Sequence, residues 1–366
     1  MKVFFCGDIS PTADNAHLFA AGDETALFSD VKGLFSQADF RVVNLECAVT
    51  DSVVPIRKIG PAIAAPKGTA AVLARLGVTH CNLSNNHFFD FGIRGAEDSL
   101  AALEEAGLGY TGFGKNEADA RQNLVLELNG ETFCIIAVCE HEYSYALPDR
   151  MGCRAFDPFE TPLAIRAAKE IYDRVAVLYH GGKEQCRYPS PRLLSACRAM
   201  AKSGADLILC QHSHCIGCYE QFEGCHIVYG QGNFHFVKET CRIDPGWHEG
   251  LGVLYDTETL SVQLQPVVSD PGSPGIRLAD TAEKAQILSD LEIRSRSLAD
   301  GSWKEGWHTF CESKRELYTK AVRLACTEEA GAAGVQKFAH YLDCEAHTDV
   351  WRELFPTYNH TNETDR

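Results

Sequence analysis

No stretch of the 366-residue sequence is long and apolar enough to suggest a membrane span, and the opening run Met1–Cys6 is too short to read as a secretion signal. Basic charge is scarce: 34 Lys and Arg stand against 50 Asp and Glu, a formal charge of −16. That balance argues against nucleic acid as an electrostatically captured partner. It does not exclude a small anionic ligand, because a bound cation can reverse the field locally. The C-x-x-C formed by Cys215 and Cys218 has no second pair at suitable spacing, so a structural zinc site is not expected. Internal repeats and low-complexity tracts are missing too.

What is present is an ordinary globular composition, 45% apolar and 23% charged, with length enough for one large α/β domain and an appendage. Sixteen scattered cysteines read as reduced thiols of a cytoplasmic protein. Over residues 1 to about 235, short apolar runs end in polar clusters, often followed by a helix-like stretch. Lys2–Cys6 leads to Gly7-Asp8, Phe40–Val43 to Asn44-Leu45-Glu46, and Thr79–Leu83 to Ser84-Asn85-Asn86-His87. Arg174–Tyr179 leads to His180-Gly181-Gly182, and Ala205–Cys210 to Gln211-His212-Ser213-His214. Helix-like segments lie between, at Gly68–Leu76, Gly95–Ala106 and Pro191–Ser203. Such alternation predicts sheets covered by helices, with ligands bound beyond the carboxyl ends of the strands.

Antiparallel pieces interrupt the pattern. Asn129-Gly130 between Leu124–Leu128 and Glu131–Ala137 is a two-residue hairpin signal. His226–Tyr229, Leu251–Tyr255 and Leu260–Val267 read as further strands, a mixture that suits two packed sheets. After the Pro- and Gly-rich segment 270–275, helix formers dominate from about Asp280 to Phe355, and residues 359–366 read as a flexible tail. The expected domains are therefore 1–270, a helical extension over 280–358, and that tail.

Six oxygen or nitrogen donors fall at strand ends expected to converge: Asp8, Glu46, Asn86, His180, His212 and His214. Singly, each has a plain structural explanation. Asp8 could cap a helix, Asn86 could shape a turn, and an H-x-H pair is common. Together, carboxylate, amide and imidazole without thiolate predict a site for Mn, Fe or Zn. His87, beside Asn86, could protonate a leaving group or steady negative charge. Lys58, Glu184, Arg187, Tyr188 and Asn233 are weaker candidates for substrate contact, each as readily a surface or loop residue. His141, His235 and His248 carry no partner pattern and are expected to be structural.

Read in order, Gly7-Asp8, Asn44-Leu45-Glu46, Asn85-Asn86-His87-x-x-Asp90-x-Gly92, His180-x-Gly182-x-Glu184, Gly204-Ala205-Asp206, His212-x-His214 and Gly232-Asn233-Phe234 resemble the CapA family. These are bacterial capsule-synthesis and poly-γ-glutamate-associated proteins of the calcineurin-like metallophosphoesterase superfamily. The resemblance covers residues 1 to about 240. It implies a four-layer αββα sandwich with two divalent transition-metal ions. Asp8 and His214 would hold one ion and Asn86, His180 and His212 the other, with Glu46 bridging. A hydroxide between the ions would be the nucleophile and His87 the general acid. The superfamily's usual Asp-x-His appears here as Asp8-Ile9-Ser10, and its usual Gly-Asp-x-x-Asp as Asn44-Leu45-Glu46.

Three functions fit this pattern. One is a metal-dependent hydrolase of phosphoester or related bonds in capsule, poly-γ-glutamate or envelope polymer metabolism. Another is a non-catalytic accessory protein binding an anionic polymer or a capsule-synthesis partner. A third is an amide hydrolase acting on γ-glutamyl linkages.

Overall fold

A computed structural model describes residues 1–140, 142–238, 245–327 and 331–356; His141 and the expected tail 359–366 lie outside these. Two sheets form the centre. In the first, the parallel strands Lys2–Ile9, Phe40–Leu45, His80–Asn82 and Gly109–Thr111 lie side by side. Glu249–Asp256 continues that sheet antiparallel to Lys2–Ile9, and Ser261–Val268 pairs antiparallel to Glu249–Asp256. In the second, Glu131–Cys139, Arg174–His180, Leu207–Gln211 and Cys225–Val228 run parallel, with Leu124–Leu128 and Tyr219–Phe222 as antiparallel edges. The Asn129-Gly130 hairpin forms as expected, both residues taking positive φ (55° and 84°), which a two-residue turn of this hand requires.

The strands are apolar on both faces because both faces are covered. Val3 and Phe5 pack between the sheets with Phe133, Ile135, Leu178 and Leu209. Their neighbours Phe4 and Cys6 turn outward, beneath Val72, Leu73 and Leu103 of helices Gly68–Leu76 and Gly92–Glu105. On the far side, Ile136, Val177 and Ile208 meet Ile165 of helix Glu160–Lys169 and Leu193 and Cys197 of helix Pro191–Lys202. Helix, sheet, sheet and helix thus give the αββα sandwich that the family resemblance implied.

The C-terminal helices Thr281–Asp300, Trp303–Ala325, Gly331–Asp343 and Glu345–Leu354 complete these cores. A capping box starts the first: Asp280 Oδ1 accepts from the Glu283 amide at 2.9 Å, and Glu283 Oε2 accepts from the Asp280 amide at 2.8 Å. Its Ile287 and Leu291 extend the inter-sheet core. Trp303, Trp307, Cys311 and Tyr318 of the next helix are buried with the outer layer of the second sheet. Among the described residues no helix is long and apolar enough to cross a membrane. Fifteen described cysteines, Cys215 and Cys218 included, are free thiols.

Candidate metal centre

Parallel strands that point the same way deliver their C-terminal loops to one edge, and both sheets contribute to the site. Asp8 lies near the end of Lys2–Ile9, and Glu46 and Asn86 follow strands of the first sheet; His180 ends a strand of the second, and His212 and His214 follow another. The register around Asp8 is irregular, with shifts on both sides of it where Lys2–Ile9 meets Phe40–Leu45 and Asn233–His235. Gly7 makes this possible: a Cβ there would sit 2.4 Å from the carbonyl oxygen of Gly232.

All six candidate donors converge. Asp8 Oδ1 accepts from Asn44 Nδ2 at 2.7 Å, and its Oδ2 accepts from the His212 amide at 3.1 Å. Glu46 Oε1 lies 3.6 Å from His180 Nε2 and 3.9 Å from His214 Nε2. Asn86 Oδ1 is 2.8 Å from His180 Nε2. Donor atoms of Asp8, Glu46 and His214 fall within 4.8 Å of one another, as do those of Glu46, His180 and His212. Two donor groups therefore share Glu46. Glu184 joins His212 and His214 in a third group from the solvent side.

The local backbone is held in an unfavourable form to achieve this. His212 has φ of 87° and His214 of 54°, both in the left-handed region, where a side chain costs on the order of 1–2 kcal/mol. Residues around the imidazoles fix their orientation. Asn44 Nδ2 lies 3.2 Å from His180 Nδ1, and the ring turns Nε2 toward Asn86 and Glu46. His214 Nδ1 donates to Asn233 Oδ1 at 2.9 Å, leaving Nε2 toward Glu46.

These residues fit a divalent cation. Both carboxylate oxygens of Glu46 are buried and accept no hydrogen bond among the described residues. Such a group is costly unless a cation meets it. Its separations from the two imidazoles exceed a hydrogen bond but lie within the roughly 4.2 Å that two ligands, each about 2.1 Å from one ion, can span. Burial, and then the charge of Asp8, push the Glu46 carboxyl well above the usual range. Burial also raises Asp8, against the opposing pull of His214. A cation between them would offset both effects.

His87 stands beside this centre. Its Nδ1 is 2.7 Å from Asp90 Oδ2, which fixes the ring. Lys58 Nζ bonds Asp90 Oδ1 and donates to the Asn86 carbonyl at 3.1 Å. Burial, then the nearby Lys58 charge, lower the His87 pKa, while the Asp90 bond opposes them. A cavity of about 360 Å3 opens over Asn86, His87 and His212, and Lys58 and Glu184 line it.

Three of the weaker sequence candidates sit elsewhere. Tyr188 packs among the hydrophobic residues beneath Trp303 and Trp307, where the ring fills the space beside Gly306. Arg187 approaches Arg294 on the first C-terminal helix. Neither lines the cavity, because the chain turns away after Gln185 (φ 63°). Asn233 faces His214 and Trp247, not the cavity. His235 is buried between Phe19 and Phe28, its pKa lowered by burial to about 4, and His248 bonds Ser269. Asn44 and Asp90 belong to the family-like motifs but carry no assigned role there; their spacings of two from Glu46 and three from His87 were the available signal. Glu140, which follows the strand Glu131–Cys139 and accepts from the Gly182 amide at 2.8 Å, was not among the candidates.

The chain is thus an α/β protein of two packed sheets whose strand ends gather a carboxylate–amide–imidazole cluster that could hold a metal ion. The sequence pattern of the family described as "Bacterial capsule synthesis protein PGA_cap" matches residues 2–238, and the chain belongs to that family. It is 29% identical over 224 residues to the capsule biosynthesis protein CapA of Bacillus anthracis, covering 58% of this chain and 53% of that protein. It is 28% identical over 283 residues to the PGA biosynthesis protein CapA of Bacillus subtilis (strain 168), covering 73% of this chain and 71% of that one. The chain thus spans about half the length of the first relative. Among solved structures, a 5′-nucleotidase precursor from Thermus thermophilus aligns with a TM-score of 0.42 at 15% identity, over 79% of this chain and 58% of that one.

Proposed function

We propose that this chain is a metal-dependent hydrolase of phosphoester or related bonds, serving capsule or poly-γ-glutamate metabolism in the reducing cytoplasm that its thiols suit. One observation carries the reading: the fully buried Glu46 carboxylate, without a hydrogen-bond donor among the described residues, stands between two sets of imidazoles. Asp8 and His214 would hold one ion and Asn86, His180 and His212 the other, with Glu46 common to both. Bound there, such ions supply Lewis-acid polarisation and lower the pKa of a water.

The remaining work falls to the chain itself. Asp90 Oδ2 accepts the hydrogen bond of His87 Nδ1–H, so Nε2 is the atom available to exchange a proton with a leaving group. Lys58 holds Asp90 in turn and brings positive charge to the cavity wall. Asn44 keeps Asp8 and His180 in register across the two sheets. The helical segment from Thr281 would then be an appendage to the family domain.

Elemental analysis tests this directly. Protein purified without chelator should carry about two transition-metal ions per chain, and Glu46→Gln should lose most of both. Failure to take up Mn2+ or Zn2+, or full retention in Glu46→Gln, would overturn the reading. One feature favours the accessory alternative: buried Ser10 stands where the superfamily usually has an imidazole. A screen of phosphomonoesters, phosphodiesters and γ-glutamyl peptides, repeated with His87→Ala, separates the two. Turnover that collapses with metal retained supports the enzyme; absence of turnover on every class supports the accessory protein.

A further inference from the structure

The wall of the cavity facing the metal centre is built by the C-terminal helices, beyond the matched residues 2–238. Lys314 and Tyr318 come from helix Trp303–Ala325, His340 and Tyr341 from Gly331–Asp343, and His347 from Glu345–Leu354. Tyr318 Oη is 2.5 Å from His347 Nδ1, and the rings of Tyr341 and His347 stack 4.2 Å apart. The wall is anchored below: Asp349 Oδ2 accepts from Ser190 Oγ at 2.6 Å and from Arg192 Nε at 2.9 Å. Its face is close to the metal side. Glu184, which reaches His212 and His214, lines the same cavity as Tyr318 and Tyr341.

Charge in this cavity opposes that of the molecule. The chain carries −16, yet the fully charged cavity-lining residues are Lys58, Lys183 and Lys314 against Glu184. Lys58 is committed to Asp90, and Glu184 lies in reach of His212 and His214. That leaves Lys183 and Lys314, neither of which has a carboxylate within ion-pair distance among the described residues. Lys183 follows His180 by three residues. Lys314 Nζ sits over the Phe310 ring, 5.2 Å from its centre, which supplies no counter-charge. Two ammonium groups without a carboxylate partner among the described residues thus line the same cavity, together with Leu317 and the buried ring of Tyr318. In a partly desolvated recess they attract an anion more strongly than in open water.

We infer that the C-terminal helices are the recognition wall of this site and select a small organic phosphate bearing a second anionic group, which Lys183 and Lys314 receive. The inference rests on the hydrolase reading for the phosphate end and on the two lysines for the other. A volume of about 360 Å3 sits at the small-molecule end of ligand sites, which span roughly 300–1,000 Å3.

Two non-hydrolysable probes differing at one end test it by calorimetry: 3-phosphonopropionate and propylphosphonate. Metal-loaded protein should bind the former about tenfold more tightly, the worth of a charge-assisted contact in a part-exposed recess. Lys183→Gln and Lys314→Gln should each remove most of that preference and leave propylphosphonate affinity and metal content unchanged. Equal affinity for the two probes in the unaltered protein would overturn the inference. A preference that survives the double substitution would overturn it too, since the carboxylate would then be chelating metal. Repeating the titration after metal removal keeps the readings apart. If the metal reading fails, metal removal leaves both affinities unchanged; a lysine-dependent preference seen then still upholds the wall.

Discussion

Arg192 ties Asp349 to Glu140, joining the last helix to the strand end beside the metal centre: its Nε is 2.9 Å from Asp349 Oδ2 and its Nη2 3.1 Å from both Glu140 oxygens. Both carboxylates are buried, so neither has water to replace the guanidinium. Arg192→Met leaves two uncompensated charges and should cost about 3 kcal/mol, measured by urea denaturation. Limited proteolysis should cut first within the C-terminal helices. Unchanged stability and protection would show that the helices are held by apolar packing alone.

Asp349 also gives a pH dependence. Burial raises its carboxyl to about 6, against the pull of Arg192 and Ser190. The unfolded value is near 3.9, so the folded state binds the proton more tightly. This group's contribution is therefore fully present below about pH 4 and is lost as pH rises through about 6. Denaturation midpoints compared between pH 4.5 and 6.5 should fall more in the unaltered protein than in Asp349→Asn. Parallel profiles would exclude Asp349 as the source.

Asp90 positions His87 and touches no cavity atom itself. Asp90→Asn should lower kcat about 10- to 100-fold with KM and metal content little changed, as expected when an orienting partner is lost. Equal losses with Asp90→Ala but recovery with Asp90→Glu would support orientation as the role. A change confined to KM would contradict it.

The strain at His212 can be read by comparing two substitutions. At φ of 87°, glycine is at ease and alanine is not. Metal-free His212→Gly should be more stable than metal-free His212→Ala by about 1 kcal/mol, while both lose an ion. Equal stability would mean that the loop relaxes once the imidazole is gone.

The two donor groups make separate predictions. His180→Ala should lose the ion of its own group and retain the other, giving about one ion per chain. Asp8→Asn should do the converse, and native mass spectrometry distinguishes the single-ion forms. Loss of both ions in either variant would show that Glu46 cannot hold one ion without the other.

Local sequence determined much of the framework. Apolar runs such as Lys2–Cys6 and Arg174–Tyr179 specify strands because backbone groups in a covered sheet need a ladder and apolar side chains need two covered faces. Asn129-Gly130 specifies its turn because both positions need positive φ. Asp8, Glu46 and His180 stand out because charged or polar groups directly after buried strands require a partner. Tertiary structure decided the rest. Residues of two sheets, far apart in the chain, become neighbours only when the sheets pack, and that packing places Glu46 between His180 and His214. The left-handed backbone at His212 and His214 has no composition signal, since the surrounding contacts impose it. Which residues form the cavity's far wall is likewise a tertiary matter, since docking through Arg192 is what turns Lys314 and His347 toward the site.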